Sequence, residues 1–177
     1  MITFPCAKIN LGLNIVSKRA DGYHNLETVF YPIPLTDALE IKLMGDEFPS
    51  EVPCDLKITG NAVDCDEQKN LVVKRDDIAV STKDAYAAIT PKQPAKCCRD
   101  IVRQPIETWK EELINDFEAP IFAMHPELAE IKQKLYNLGA VYAAMSGSGS
   151  AIFGIFKHKP ANIEEQFDGM FCKVLKL

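Results

Sequence analysis

In Pro5-Cys6-Ala7-Lys8-Ile9-Asn10-Leu11-Gly12-Leu13-Asn14-Ile15, the apolar residues Ile9, Leu11, Leu13 and Ile15 alternate with Asn10, Gly12 and Asn14. That is the period of a half-buried strand, with one face toward a core. Asp21-Gly22 then marks a turn, and Val29, Tyr31, Ile33 and Leu35 predict a returning strand. Leu39, Ile41 and Leu43 alternate with Glu40 and Lys42, and Leu56 and Ile58 flank Lys57. The first 60 residues therefore read as a four-stranded, mainly antiparallel sheet with one apolar face.

The second half changes period. Ile106, Trp109, Leu113, Ile114 and Phe117 recur at helical spacing. A second helix is expected from Pro126, with Leu128, Ile131, Leu135 and Leu138 on one face and a stop at Gly139. Proline in the first turn and glycine just past the end suit those limits. Two strands, Val141 to Met145 and Ala151 to Phe156, flank Ser146-Gly147-Ser148-Gly149-Ser150. A short helix over Pro160 to Phe167 and a last strand over Phe171 to Leu177 complete an α+β layer arrangement.

Lys8 and Asn10 lie two apart in a strand and so point to one face. A lysine there can hold a phosphate as a point charge, and an asparagine can donate and accept hydrogen bonds. Tyr23 and His24 follow a turn, where an aromatic face and a titratable ring can grip a base. A solvated lysine and an ordinary hairpin tyrosine fit the same pattern. Glycines in Ser146-Gly147-Ser148-Gly149-Ser150 allow backbone amides to approach an anion, although such a sequence also makes a plain turn. Tyr86 is either a stacking residue or helix packing. Asp116 and Glu118 are either acid/base groups or solvated carboxylates. The P-loop pattern GxxxxGK[ST] occurs nowhere.

Composition narrows the classes. The chain has 177 residues, 47% hydrophobic and 25% charged, which suits one or two cores. A net charge of -5 gives no reason to expect nucleic acid or a membrane surface as partner. No apolar run nears the roughly 20 residues that span a bilayer, and Met1 to Pro5 lacks the features of a secretory leader. Cys6, Cys54, Cys65, Cys97, Cys98 and Cys172 are expected as reduced thiols in a cytoplasmic protein. Neither they nor His24, His125 and His158 show zinc-ligand spacing, so no metal site is expected.

Taken together, Ala7-Lys8-Ile9-Asn10-Leu11, Ala20-Asp21-Gly22-Tyr23-His24, Asn115-Asp116-Phe117-Glu118 and the Ser146–Ser150 turn resemble the GHMP kinase superfamily. Within it they resemble the 4-diphosphocytidyl-2-C-methyl-D-erythritol kinases of non-mevalonate isoprenoid synthesis. The resemblance implies a two-domain α+β fold, here residues 1–74 and 75–177, with the first domain incomplete. It implies ATP and Mg2+ as cofactors and a cytidine-diphosphate-linked sugar alcohol as small-molecule substrate, phosphorylated on its 2-hydroxyl. By the same resemblance Lys8 is the catalytic cation, and Asn10 positions the substrate. Tyr23 stacks on the cytosine, His24 hydrogen-bonds it, and Tyr86 closes a sandwich. Ser146, Gly147, Ser148 and Gly149 lie beside the phosphates.

One family element does not appear. A Gly-Gly-Gly-Ser-Ser-Asp-Ala-like loop, the nest for ATP phosphates, should follow Asn70-Leu71-Val72-Val73 after one helix and one strand. The chain passes instead to Arg75-Asp76-Asp77-Ile78-Ala79-Val80, and two adjacent glycines occur nowhere. The family's catalytic aspartate belongs to the same stretch, and no residue here matches it. The expectation is a kinase by descent whose 177-residue chain does not turn over. The alternative is a non-catalytic remnant that binds cytidine nucleotides, or an interaction module.

Overall fold

The computed structural model describes residues 1–40 and 82–176. The chain divides into two packing units, Met1–Pro5 with Ala38–Ala79 and Cys6–Asp37 with Val80–Leu177. In the first, β1 (Ile2–Thr3) pairs antiparallel with β4 (Leu39–Glu40). The expected strands at residues 41–43 and 56–58 lie outside the described residues.

The second unit is built on a long hairpin. β2 (Cys6–Lys18) pairs antiparallel with β3 (His24–Thr36). Asp21 closes the turn, its carboxylate accepting from the Tyr23 amide at 3.1 Å and pairing with Arg19. The described strands form two-stranded ladders.

β2 also departs from simple alternation, since burial runs unbroken from Ile9 to Ile15 and includes Asn10 and Asn14. Both faces are covered, Asn10 by Thr28 and Ser146 and Asn14 by Cys98, and a bulge switches the alternation between them. Leu11 pairs with Val29 and Leu13 with Thr28, so Gly12 is the extra residue, at a φ of 67°. Ile9 and Leu11 join Cys98, Ile101, Leu113, Tyr142 and Ala144 in the main core. β3 is less covered and leaves Leu26, Phe30 and Tyr31 exposed.

Short helices follow: α1 (Thr82–Ala87), α2 (Cys98–Ile101), and α3 (Trp109–Glu112) after a 3-10 turn over Ile106–Thr108. The single helix expected over 106–117 ends at Leu113, whose ψ is 84°. β2 recruits the next residues. The Leu13 amide donates to the Ile114 carbonyl, and the Asp116 amide donates to the Leu13 carbonyl, both at 2.9 Å. Asn115 thus forms a parallel bridge with Leu13.

α4 (Glu118–Met124) and α5 (Pro126–Asn137) come next. α5 begins at proline and ends before Gly139, whose φ of 96° terminates it. β5 (Tyr142–Met145) and β6 (Ile152–Ile155) pair antiparallel. α5 backs them through a second core of Leu135, Ala140, Ala143, Ile163 and Phe167.

The expected helix over 160–167 shrinks to a 3-10 turn at Glu165–Phe167, because Asn162 adopts a φ of 50°. Residues 171–176 form no strand. Their alternation instead reflects Cys172 and Val174 packing on the second core.

Cys98 marks the centre of the main core. Its amide donates to the Glu27 carboxylate, and its sulfur receives the Asn14 side-chain N–H at 3.1 Å. Burial, and then the Glu27 charge, push its thiol up from 9.0 to about 12. A raised thiol pKa favours the fold below the ordinary value and withdraws that support as pH climbs from 9.0 through about 12. Native protein at pH 8 is therefore expected to label at exposed Cys6 and not at Cys98. Mass spectrometry of a thiol-labelled digest checks this, and stoichiometric labelling of native Cys98 would contradict it.

Candidate functional site

The structure gathers the sequence-derived site residues into two clusters at opposite ends of the hairpin. Lys8 pairs in register with Pro32, and Lys18 with His24. At about 3.3 Å per residue the two ends lie up to roughly 30 Å apart along the strand.

The first cluster is polar and closely bonded. Lys8 Nζ donates to Asn10 Oδ1 at 2.9 Å and lies 4.5 Å from the centre of the Phe30 ring. Partial desolvation lowers its pKa. Asn10, only 3% exposed, donates through Nδ2 to Thr28 Oγ1 at 3.1 Å. The Thr28 hydroxyl in turn donates to the Gly12 carbonyl. The Asn10 amide donates to Ser146 Oγ at 3.2 Å, and the Ser146 hydroxyl lies 3.4 Å from Asn10 Oδ1. A lysine, an amide and a serine hydroxyl thus meet, although Asn10 and Ser146 stand 136 residues apart in the chain.

The Ser146–Ser150 turn is itself braced. The Ser146 amide donates to Ala151 O at 2.8 Å and the Gly149 amide to Ser146 O at 3.3 Å. Gly147 and Gly149 have φ of 62° and 92°, the left-handed region that glycine enters without strain. With two amides committed inside the hairpin, the turn alone is not a full anion nest. Gly147 is next to the first cluster: a Cβ placed there would be 3.8 Å from Asn10 Oδ1.

Asn115, Asp116 and Glu118 are each engaged by backbone groups, Asp116 and Glu118 from partly buried positions. Asn115, 4% exposed, donates to Met145 O at 2.8 Å and Gly147 O at 2.9 Å, and accepts from the Phe117 amide at 3.0 Å. Asp116 accepts from the Ile15 amide at 2.7 Å. Glu118 accepts from the Met145 amide at 2.8 Å and pairs with Lys132 at 2.6 Å. They fasten the turn and β2 to each other. Thr28 carried no sequence signal, because its relevance depends on the bulge opposite it.

The second cluster is aromatic. His24 and Tyr86 stack at 4.6 Å between centroids and 15° between planes, and Tyr86 meets Phe117 edge-on at 4.9 Å. Tyr86 falls near the end of its helix, not at the start, and burial raises its pKa. Tyr23 is 73% exposed. Tyr86 lies against His24, and a Tyr23–Tyr86 sandwich takes form only around a base. Two open concavities, of about 380 and 430 Å3, lie around Lys92; the first is also lined by Asn115, Asp116 and Glu118, and neither is lined by Lys8, His24 or Tyr86. Among the described residues no group of three or more His, Cys, Asp or Glu side chains is placed to hold a metal ion.

Residues 99–171 match the family model for the GHMP kinases C terminal. The chain is 34% identical to the 4-diphosphocytidyl-2-C-methyl-D-erythritol kinase of Parabacteroides distasonis, covering 94% of this chain and 95% of that enzyme. The chain belongs to this kinase family. The Bacteroides fragilis member is also 34% identical, over 97% of this chain and 98% of its own length. Such coverage has one consequence for length. The alignment to the Bacteroides fragilis enzyme runs over 268 residues, more than the 177 available, so a long stretch of that kinase has no counterpart here. A crystal structure of 4-(cytidine 5'-diphospho)-2C-methyl-D-erythritol kinase shares the fold, with a TM-score of 0.61 at 20% identity, covering 88% of this chain and 90% of that one. By family this is a small-molecule kinase of the GHMP type with an α+β fold, and the family implies ATP use. No helix among the described residues is long and apolar enough to cross a membrane.

Proposed function

We propose that this chain carries the substrate-binding part of an ATP-dependent kinase for the 2-hydroxyl of 4-diphosphocytidyl-2-C-methyl-D-erythritol. Its place is non-mevalonate isoprenoid synthesis in the cytoplasm. As a 177-residue polypeptide it holds the cytidine nucleotide without transferring a phosphoryl group. Residues 1–74 represent the incomplete N-terminal domain and residues 75–177 the C-terminal one.

The observation that carries this reading is the convergence of Lys8, Asn10 and Ser146. Phosphoryl transfer needs positioning and charge neutralisation more than covalent help. ATP, when bound, supplies the γ-phosphoryl group. Lys8, partly desolvated and held by Asn10 and Phe30, neutralises phosphate charge. Asn10 positions the sugar alcohol, and the Ser146–Gly149 turn flanks the phosphates. At the other end of the hairpin His24 hydrogen-bonds cytosine, and the base slips between Tyr23 and Tyr86 as the His24–Tyr86 stack opens. No residue of the sequence matches the family's aspartate that activates the hydroxyl, which is why binding is expected to survive without turnover.

Calorimetric titration of the chain with CDP tests this. Saturable binding is expected, and Tyr86→Ala should weaken it about five- to a hundredfold, the range for losing one base–aromatic stack. Absence of CDP binding by the unaltered chain would overturn the reading.

A further inference from the structure

We propose that Thr28 is a positioning residue that turns the Asn10 amide so that its oxygen faces the Lys8–Ser146 side, and so selects a ligand hydroxyl there over a phosphate oxygen. This rests on the function proposed above.

Proton supply fixes the direction of the Asn10 amide. The Thr28 hydroxyl has one proton and gives it to the Gly12 carbonyl. Toward Asn10 it can then only accept, so the atom facing it at 3.1 Å is Nδ2, and Oδ1 is left for the other side. Lys8 agrees with this orientation, because an ammonium only donates. Ser146 does not choose, since its oxygen can donate or accept. Once a ligand phosphate draws the Lys8 ammonium away, Thr28 is the group that still dictates the amide's direction. Asn10 is buried, so a mis-turned amide would leave polar atoms unsatisfied rather than hydrated. The side facing the ligand is therefore an acceptor. It attracts a polyol hydroxyl and repels a phosphate oxygen, so Lys8 takes the phosphate and Asn10 the polyol.

The Gly12 bulge makes this possible. It sets Thr28 opposite Leu13 while its hydroxyl reaches the Gly12 carbonyl. An unbulged ladder would keep that carbonyl for the backbone.

The test compares CDP with its methylerythritol conjugate by calorimetry on the full chain. In the unaltered protein the conjugate is expected to bind more tightly than CDP, through the added hydroxyl contact. Thr28→Val should lower affinity for the conjugate about fivefold to tenfold, the worth of one such hydrogen bond, while CDP affinity shifts less than twofold. Thr28→Ser should restore the difference. An equal loss for both ligands, a Thr28→Ser variant as poor as Thr28→Val, or no preference for the conjugate in the unaltered chain would overturn the proposal. If the unaltered chain binds neither ligand, the proposed function falls and NMR of the Asn10 side-chain amide decides about Thr28. Slow hydrogen exchange in the unaltered chain and Thr28→Ser, with fast exchange in Thr28→Val, supports the orienting role. Equal rates in all three refute it.

Discussion

Gly12→Val is expected to destabilise the protein by about 2–5 kcal/mol, enough to remove a large part of the stability of an ordinary domain. Two costs combine. The φ of 67° is hostile to a β-branched residue, at about 1–2 kcal/mol. A Cβ there would also sit 2.6 Å from Leu113 Cδ1 and 2.8 Å from Cys98 Sγ, inside the main core. Overpacking of that kind costs about 1–3 kcal/mol. Gly12→Ala should fall between the unaltered protein and valine. The effect should reach the site as well, since the Gly12 carbonyl receives the Thr28 hydroxyl that orients Asn10. Urea unfolding followed by circular dichroism measures it, and a loss below about 0.5 kcal/mol would mean that the bulge is not a fixed feature of β2.

Asn115→Leu should be nearly as damaging. The substitution keeps the branched shape and removes every polar group, leaving Met145 O, Gly147 O and the Phe117 amide without their present partner. Each orphaned buried group costs about 1–3 kcal/mol, and partial hydration of the turn offsets some of it. A total of about 2–4 kcal/mol is expected. The loss should be accompanied by faster hydrogen exchange in the Ser146–Ser150 turn and weaker retention of the Ser146–Asn10 contact. Asn115→Asp should not rescue, because a carboxylate cannot donate to two carbonyls. Denaturant melts with amide exchange check both parts. A variant as stable as the parent, with unchanged exchange in the turn, would show that the turn is held by β5 and β6 alone.

What the sequence disclosed was local. Asp21-Gly22 between two apolar alternations predicts the β2–β3 hairpin, and Pro126 with Gly139 brackets α5 almost to the residue. Lys8 and Asn10 on one strand face follow from a period of two, and the structure joins them at 2.9 Å. What it concealed was set by distant partners. Residues 106–117 do have helical spacing, but the backbone of Leu13 captures Ile114 and Asp116 and ends the helix. Asp116 and Glu118 look like surface carboxylates until the Ile15 and Met145 amides that donate to them are placed beside them. Cys172 and Val174 alternate because one side is buried, and no strand edge meets them. Periodicity reports which side chains are buried, whereas a ladder also requires a neighbour.

The same division applies to the site. The residues that touch ligand in the proposed function carry family motifs and were legible. The residues that aim them, Thr28 and Asn115, act through a bulge and a loop whose geometry no short pattern encodes. The His24–Tyr86 stack is likewise a product of packing, since His24 opens β3 and Tyr86 lies in α1.

The most direct test of the whole account is a 31P NMR spectrum of the chain mixed with the cytidine-diphosphate methylerythritol, ATP and Mg2+. The diphosphate resonances of the conjugate should shift or broaden, while no phosphomonoester signal grows in. A phosphomonoester signal accumulating with time would contradict the claim that the chain binds without turnover. Unperturbed diphosphate resonances would contradict the claim that it binds at all.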